Sequence, residues 1–371
     1  MSNRAVAAKT EFATMDVRLK IWRYDSRTGD RNLEEFEIEA PEWACLLDVL
    51  DIIKDKHDGT LAYRKSCRMM ICGSCGMRMD GRAVLACKER MQPIVEAGHV
   101  PVISAMGNLP IVKDLVVDMA PFWGKIRAVK PWLDPGYDEI QEKERVASQQ
   151  QMNAIAKESL CIMCGCCVSE CNSMESDPAF LGPAALAKGF RFVGDPREGT
   201  QVERLVELNG EHGIWDCTRC YFCNERCPKG VDPRDAIAKL GAESIEQGID
   251  HDMGAKHAKW FIRSAMTTGW LRETELVPKT QGIVSAIKQT GFALGLAVKG
   301  KVPPPFPPHV ADKVDEARGL YDLVRTRGRR GADGIIQMER ALARLEHGEA
   351  HGARRDSPEI TPGEEPPAAG H

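Results

Sequence analysis

Three cysteine runs dominate this sequence, and their spacing restricts what the chain can fold around. Twelve of the 14 cysteines lie in these runs. The first run reads C-x4-C-x2-C-x11-C, the second and third each read C-x2-C-x2-C-x3-C, and a proline follows the last cysteine. The first spacing is that of plant-type 2Fe–2S ferredoxins, and the other two are typical of bacterial ferredoxins that hold two 4Fe–4S clusters. The runs therefore predict three iron–sulfur clusters and a function in single-electron transfer.

The cysteines of the three runs are the candidate cluster ligands of the chain. They are Cys67, Cys72, Cys75, Cys87, Cys161, Cys164, Cys167, Cys171, Cys217, Cys220, Cys223 and Cys227. Of the two others, Cys45 lies at helical apolar spacing and is predicted to be a small core residue. Cys166 lies between two ligands without a partner spacing, and the sequence assigns it no role.

Zinc is the alternative metal for cysteines at C-x2-C spacing. A structural zinc site needs two such pairs, and it has no use for the x2-x2-x3 run seen twice here. In the first run, Gly73 and Gly76 lie among the ligands, where a loop around a cluster needs positive φ and close backbone approach to sulfur. The pattern favours iron–sulfur clusters, and a zinc-stapled interaction module without redox function is the alternative.

Strands come first along the chain and helices follow, which predicts the α+β class. Two strand-like stretches within residues 15–40, a helix over 44–54, a hairpin at Asp80-Gly81 and apolar runs up to residue 119 predict a β-grasp fold. We therefore expect an N-terminal β-grasp plant-type ferredoxin domain over residues 15–120.

Helical segments separated by proline and glycine make up the next part of the chain. They lie at 141–159, 183–190, 201–210 and 233–248 and predict an α-helical, bacterial-type two-cluster ferredoxin domain over residues 121–250, with both four-cysteine runs in loops between the helices. Residues 251–350 are predicted to be a helical C-terminal extension, with a charged helix at 311–348 and His309 on the surface. Residues 351–371 are polar and rich in Glu, Pro and Gly, which predicts a disordered tail.

Composition and motifs exclude several functions. A net charge of −4 and a pI near 6.2 do not fit a nucleic-acid partner. We expect no export signal, and the longest uncharged apolar stretch, residues 292–298, is far below the roughly 20 residues of a membrane span. No G-x-G-x-x-G, P-loop or nucleophile arrangement is present, so no catalytic residue is predicted and flavin chemistry belongs to a partner.

The order of these motifs over residues 15–250 resembles the iron–sulfur subunit of succinate dehydrogenase and fumarate reductase. The resemblance rests on RKSCRMMICGSCGMRMDG, IVKDLVVDM, LGPAALAKGFRF and CPKGVDPRDAI together with the three runs. It implies an electron-transfer subunit of a succinate:quinone oxidoreductase, relaying electrons between a FAD-containing flavoprotein and the quinone of a membrane anchor. It also implies a peripheral position on the cytoplasmic side of the cell membrane.

The resemblance also implies which cysteines share a cluster. Cys67, Cys72, Cys75 and Cys87 would hold a 2Fe–2S cluster near the flavin. Cys161, Cys164, Cys167 and Cys227 would hold the middle 4Fe–4S cluster. Cys171, Cys217 and Cys223 match the ligands of a third cluster nearest the membrane.

The chain departs from the family at the third cluster. Most members hold a 3Fe–4S cluster there because they lack a cysteine at the position of Cys220, so the present chain is predicted to hold 4Fe–4S. Quinone-reducing members carry a proline and tryptophans after the cysteine matching Cys171 and a histidine after that matching Cys217. This chain instead carries Asn172, Ser173, Met174, Glu175, Ser176 and Thr218. The usual residues of a quinone pocket are therefore absent.

The C-terminal third is similar to part of the small iron–sulfur subunit of heterodisulfide-reductase-like enzymes. The similarity rests on the patterns FxxSxxxTGxLxExxL and KGKxPxP. Together with Cys220 it fits the class of succinate or fumarate enzymes with a cysteine-rich anchor subunit. The alternatives are a helical appendage that stabilises this subunit and, for the whole chain, an electron carrier of a heterodisulfide-reductase-like flavoprotein complex.

Overall fold

A computed structural model describes residues 13–136, 144–301, 310–316 and 318–319. The predicted tail at 351–371, His309 and all of the predicted charged helix except its first few residues lie outside this range.

The N-terminal part of the chain forms a five-stranded mixed sheet. Its strands are β1 (Thr14–Tyr24), β2 (Arg31–Pro41), β3 (Gly76–Met79), β4 (Arg82–Leu85) and β5 (Val102–Ser104). The strand order is β2-β1-β5-β3-β4; β1 and β5 run parallel, and the other pairs are antiparallel. A separate hairpin consists of β6 (Ile111–Lys113) and β7 (Val116–Val117). The predicted strands are thus confirmed.

The β3–β4 turn has the conformation that its sequence predicts. Asp80 has φ +53° and Gly81 has φ +75°. Positive φ at both central residues is the signature of a type I′ turn, which matches the twist of antiparallel strands. The hairpin prediction is confirmed.

Helix α1 (Leu46–Lys56) covers the sheet and starts two residues later than predicted. Its N-cap is Cys45, whose Sγ donates to Asp48 Oδ2 at 2.9 Å, while its backbone N–H donates to the same oxygen at 3.0 Å. Burial, followed by the adjacent Asp48 carboxylate, raises the pKa of the Cys45 thiol to about 11. Cys45 is therefore a neutral, half-buried capping residue that packs against the core.

A buried ion pair links β1 to the β6–β7 turn. The Arg23 Nε donates to Asp114 Oδ1 at 3.0 Å, and Asp114 is 3% exposed. Asp114 also accepts the backbone N–H groups of Tyr24 and Ala62, at 3.1 and 2.8 Å. One carboxylate therefore fastens three segments that lie far apart in sequence.

Replacing Asp114 by alanine is expected to lower the free energy of unfolding by about 3 kcal/mol or more, because it removes the most deeply buried of the three carboxylates around Arg23 and the acceptor of two backbone N–H groups. Urea unfolding followed by circular dichroism measures the change. Asp25→Ala is the matched control, because it removes an ion pair with Arg27, which is 82% exposed, and should change little. Equal urea midpoints for the two variants would contradict this account of Asp114.

The second part of the chain is helical. Its helices are α3 (Ala120–Ala128), α4 (Gln149–Ala154), α5 (Ala156–Ser159), α6 (Cys166–Ser169), α7 (Asn172–Ser176), α8 (Gly182–Val193), α9 (Gln201–Leu208), α10 (Phe222–Glu225) and α11 (Pro233–Glu246), after a short α2 (Gln92–Glu96). A 3₁₀ turn spans Ile214–Asp216. Helix α8 packs against α3, α9 and α11 in the second core. The helices predicted around 183–190, 201–210 and 233–248 are confirmed, whereas the segment predicted as one helix up to 159 is broken at Ile155.

The two parts share side chains across their boundary. Met106 and Leu109, which follow β5, belong to the core of the helical part. Conversely, Cys164 and Cys166 belong to the core under the N-terminal sheet. The Arg78 Nε of β3 donates to Ser169 Oγ at 3.0 Å and to Glu170 Oε1 at 2.9 Å. These contacts hold β3, and the first cysteine loop that precedes it, against the second cysteine run.

Four helices follow as a C-terminal extension. They are α12 (Met253–Thr268), α13 (Glu273–Thr280), α14 (Ile283–Lys288) and α15 (Thr290–Val298). Each of α13, α14 and α15 packs on the helix before it. Across the described ranges, every helix is too short or too polar to cross a bilayer.

Candidate iron–sulfur sites

The first cysteine run forms a loop whose backbone N–H groups point at sulfur. Cys67 Sγ accepts the N–H groups of Met69, Ile71 and Cys72 at 3.3 to 3.4 Å. Cys72 Sγ lies 3.1 Å from the Ser74 hydroxyl oxygen. Such donors stabilise anionic sulfur, the form in which cysteine binds metal.

The pKa values of this loop reflect how close its thiols lie to one another. The Ser74 hydroxyl, together with nearby backbone N–H groups, lowers the pKa of Cys72 to about 6. Burial, with the neighbouring Cys87 and Cys72 thiols, raises the pKa of Cys75 to about 12. The structure therefore brings the four cysteines of the first run together in one place, and a set of four thiols fits a 2Fe–2S cluster.

The second and third runs have the same backbone conformation at matching positions. Met163 and Gly165 have φ +56° and +80°, and the corresponding Arg219 and Tyr221 have φ +57° and +69°. In each run these residues flank the second cysteine on its two sides. The repeat of left-handed residues gives both runs the same tight turn.

One cysteine of the third run lies with three of the second. Cys161, Cys164, Cys167 and Cys227 line a single cavity. Burial raises the pKa of Cys161, and the nearby Cys164 and Cys227 raise it further. The Val231 N–H donates to Cys227 Sγ at 3.3 Å. Four thiols around one cavity fit a 4Fe–4S cluster.

The remaining four cysteines of the three runs form a third group. Burial, followed by the nearby Cys217, Cys171 and Cys220 in that order, raises the pKa of Cys223 to about 12. Burial, followed by the nearby Cys217 and Cys220, raises the pKa of Cys171. Cys171 therefore lies with the third run rather than with its own, and Cys220 lies close enough to interact with all three others. This donor set also fits a 4Fe–4S cluster.

The twelve cysteines thus fall into the three groups predicted from the sequence. Two cysteines lie with the other run: Cys171 lies in the third group and Cys227 lies in the second. That these cysteines are the ligands stays a prediction.

The first and second groups are in van der Waals contact through a glycine. A Cβ atom on Gly73 would lie 2.8 Å from Cys164 Cα, and Gly73 has φ +71°. Gly76 begins β3, and a Cβ there would lie 3.2 Å from the Cys164 carbonyl oxygen. Only glycine allows the loop of the first group to approach the second run this closely.

Cys166, to which the sequence assigns no role, lies against one of the candidate ligands. Its side chain is fully buried, and its thiol hydrogen-bonds to Cys164, which lowers the pKa of Cys164 to about 7. The same hydrogen bond, followed by burial, raises the pKa of Cys166 well above its ordinary value, so it stays a neutral donor. The sequence signal for this contact is the position of Cys166 directly beside a candidate ligand, at a spacing that does not make Cys166 a ligand itself.

The segment after Cys171, which lacks the usual quinone-binding residues of the family, packs against the third cysteine run. Ser173 is buried and its hydroxyl accepts the Thr218 N–H at 3.2 Å. Met174 and Glu175 line a largely apolar cavity of about 370 Å³ that Phe122 and Lys125 also border. Burial lowers the pKa of Lys125, whose ammonium group donates to carbonyl oxygens of the segment before α8.

Two family models match the two cysteine-rich regions. A model described as a 2Fe-2S iron-sulfur cluster binding domain matches residues 18–124, and one described as a 4Fe-4S dicluster domain matches residues 158–231. Both descriptions name iron–sulfur clusters, as predicted, rather than the zinc of the alternative.

Curated relatives align with most of this chain. The fumarate reductase iron-sulfur subunit of Haemophilus influenzae is 36% identical and aligns over 63% of this chain and 94% of its own length. The 8-methylmenaquinol:fumarate reductase iron-sulfur subunit of Wolinella succinogenes is 33% identical over 76% of this chain and 89% of its own length. A chain of the Mycobacterium smegmatis Sdh1 complex in the apo form is similar in fold, with a TM-score of 0.59 and 25% identity, covering 64% of this chain and 99% of that one. The present chain therefore belongs to the family of iron–sulfur subunits of succinate dehydrogenases and fumarate reductases.

Proposed function

We propose that this chain relays single electrons between a flavoprotein that acts on succinate or fumarate and the membrane quinone pool. It is then an electron-transfer subunit of an oxidoreductase, with no substrate site of its own. The observation that carries the proposal is the packing of three cysteine groups in series. Gly73 brings the first group against the second, and the second and third groups exchange Cys171 and Cys227.

Each group is proposed to hold one cluster. Cys67, Cys72, Cys75 and Cys87 would hold 2Fe–2S; Cys161, Cys164, Cys167 and Cys227 would hold the middle 4Fe–4S; Cys171, Cys217, Cys220 and Cys223 would hold a third cluster, also 4Fe–4S. Such clusters accept and release one electron at a time, at potentials set by charge, hydrogen bonds to sulfur and exposure. The surrounding protein supplies those influences through backbone N–H groups, buried thiols and cations such as Lys188, which lies near Cys161.

The proposal includes the ferredoxin type of each of the two domains. The strand order β2-β1-β5-β3-β4 with one crossing helix supports a β-grasp, plant-type ferredoxin domain over residues 15–120. The repeated turn conformation of the second and third runs supports a bacterial-type two-cluster domain over 121–250.

The proposed partners are a FAD-containing flavoprotein and a membrane anchor. Cys220 and the replacement of the usual quinone-binding residues by Ser173 and Thr218 support a cysteine-rich anchor, with quinone bound outside this chain. The subunit would lie peripherally on the cytoplasmic side of the membrane.

Co-purification tests the proposal. An affinity-tagged chain, isolated anaerobically from its host, should bring down a partner with bound flavin and succinate–dye activity. A tagged Cys72→Ser chain should give much lower activity in the complex, whereas Cys45→Ser, outside the three groups, should not. A flavoprotein partner without succinate or fumarate activity would favour the heterodisulfide-reductase-like alternative instead.

Removing the Cys166 thiol is expected to lower the reduction potential of the middle cluster. A donor to sulfur stabilises the more negative, reduced state, and a net hydrogen bond of about 1 kcal/mol corresponds to a shift on the order of tens of millivolts. Cys166→Ala should therefore lower the potential in an EPR-monitored titration. Cys166→Ser keeps a donor and is the matched control, so its potential should stay closer to that of the unmodified protein. Equal shifts in the two variants would rule out the hydrogen bond as the cause.

A further inference from the structure

Helices α14 and α15 expose an unusual amount of apolar surface. Six side chains on these two helices are between 64% and 82% exposed: Ile283, Val284, Ile287, Phe292, Leu294 and Val298. Helix α15 reads TGFALGLAV and has no charged residue, so it presents no polar face to water. A helix that is apolar on all sides is normally buried in a protein core or in lipid. Among the described residues, α15 has no such cover.

The charges around these helices all have one sign. Residues 276–311 contain no aspartate or glutamate, although the whole chain carries a net charge of −4. The same segment carries Lys279, Lys288, Lys299 and Lys301, all exposed. Within the part of the chain that the structure describes, no carboxylate forms an ion pair with these four ammonium groups. The segment therefore combines exposed apolar side chains with uncompensated positive charge.

This combination fits the surface of an anionic bilayer. Helix α15 has nine residues and is about 13 Å long, which is too short to cross a hydrocarbon core of roughly 30 Å. Short apolar helices with flanking lysines lie in the interface, where the apolar side chains enter the acyl region and the long lysine side chains reach the headgroups. Anionic phospholipid headgroups supply the negative charge that this segment lacks.

We infer that α14 and α15 form a lipid contact of this chain, with residues 283–298 in the interface of an anionic membrane and Lys288 and Lys299 on the headgroups. The inference deepens the proposed membrane partnership and rests on it. It assigns to the C-terminal extension a direct contact with lipid, in addition to any contact with an anchor subunit.

Vesicle binding tests the inference on the full, cluster-containing chain. The purified protein should co-float with vesicles of equal parts phosphatidylcholine and phosphatidylglycerol, and far less with phosphatidylcholine alone. Lys288→Gln/Lys299→Gln should weaken binding about 25-fold, or about fivefold for each lysine. The matched control, Arg18→Gln/Lys56→Gln, removes two exposed charges from the N-terminal part and should bind as the unmodified chain does.

A second pair of variants tests the apolar side chains. Phe292→Gln/Leu294→Gln should abolish the part of the binding that survives high salt, and a Phe292→Trp reporter should shift its fluorescence to shorter wavelength on anionic vesicles. Because these side chains are exposed, the substitutions should leave iron content and the succinate–dye activity of the complex unchanged. If the unmodified chain did not bind anionic vesicles although its complex had normal activity, this inference alone would be overturned and the proposed function would stand.

Two other results would also overturn the inference. In the first, the unmodified chain does not bind vesicles, and the α15 variants lose the anchor subunit on purification. That result would show that the apolar surface docks in a groove of the anchor subunit. The other is that the α15 variants disperse an oligomer in sedimentation velocity without any effect of lipid, which would assign the surface to a second copy of this chain.

Discussion

Replacing Cys220 by isoleucine is expected to create an oxidised three-iron EPR signal that the unmodified protein lacks. Cys220 interacts with Cys171, Cys217 and Cys223, so the third group offers four thiolates for four irons. Removing one thiolate leaves one corner iron without a protein ligand, and that iron is easily lost. A 3Fe–4S cluster is paramagnetic when oxidised, whereas an oxidised low-potential 4Fe–4S cluster is EPR-silent.

The expected intensity in Cys220→Ile protein, prepared without oxygen, approaches one three-iron signal per chain. The Cys45→Ser variant is the control, because Cys45 caps α1 and lies outside the three groups. If the unmodified protein already carries the signal at one per chain, Cys220 is not a ligand. The argument for a cysteine-rich anchor then weakens as well.

Replacing Cys227 by serine is expected to perturb the middle cluster before the third. Cys227 belongs to the third run by sequence, but it lines the cavity formed by Cys161, Cys164 and Cys167. The following Pro228 has no N–H and restricts φ, which helps to turn the chain away from its own run. Full loss of the middle cluster would reduce the iron content from about ten to about six per chain and interrupt electron transfer beyond the first cluster.

Cys171→Ser is the reciprocal variant, because Cys171 belongs to the second run by sequence and to the third group by position. It should perturb the third cluster and leave the middle one in place. EPR of reduced samples, together with iron and sulfide analysis, separates the two effects. Loss of the third cluster in Cys227→Ser protein, with the middle one untouched, would show that the exchange of cysteines is assigned wrongly.

Local features of the fold were predictable because neighbouring residues determine them. Asp80-Gly81 specifies its hairpin through two positive φ angles. The prediction that both four-cysteine runs lie in loops is only partly correct, because Cys167 and Cys223 lie in the short helices α6 and α10. The apolar pattern predicts the start of α1 two residues early, because it does not reveal the Cys45–Asp48 cap.

Features that join distant segments were not predictable from one sequence. The Arg23–Asp114 ion pair links residues 91 positions apart, and nothing near either residue indicates the other. The same holds for Met106, which follows a strand but packs in the core of the helical part. The contact of Cys166 with Cys164 is likewise not visible in the spacing, because it depends on how the folded chain places the two side chains.

An EPR-monitored redox titration of the assembled complex, poised with the succinate/fumarate couple, tests the central claim most directly. We predict about ten irons per chain with matching acid-labile sulfide. Succinate should reduce the 2Fe–2S cluster, which the EPR signal of that cluster reports, and electrons should then reduce the two other clusters according to their potentials. Cys72→Ser protein should lose the 2Fe–2S signal and the reduction of the clusters behind it. A colourless zinc protein, or clusters that do not respond to succinate or fumarate in the intact complex, would contradict the account.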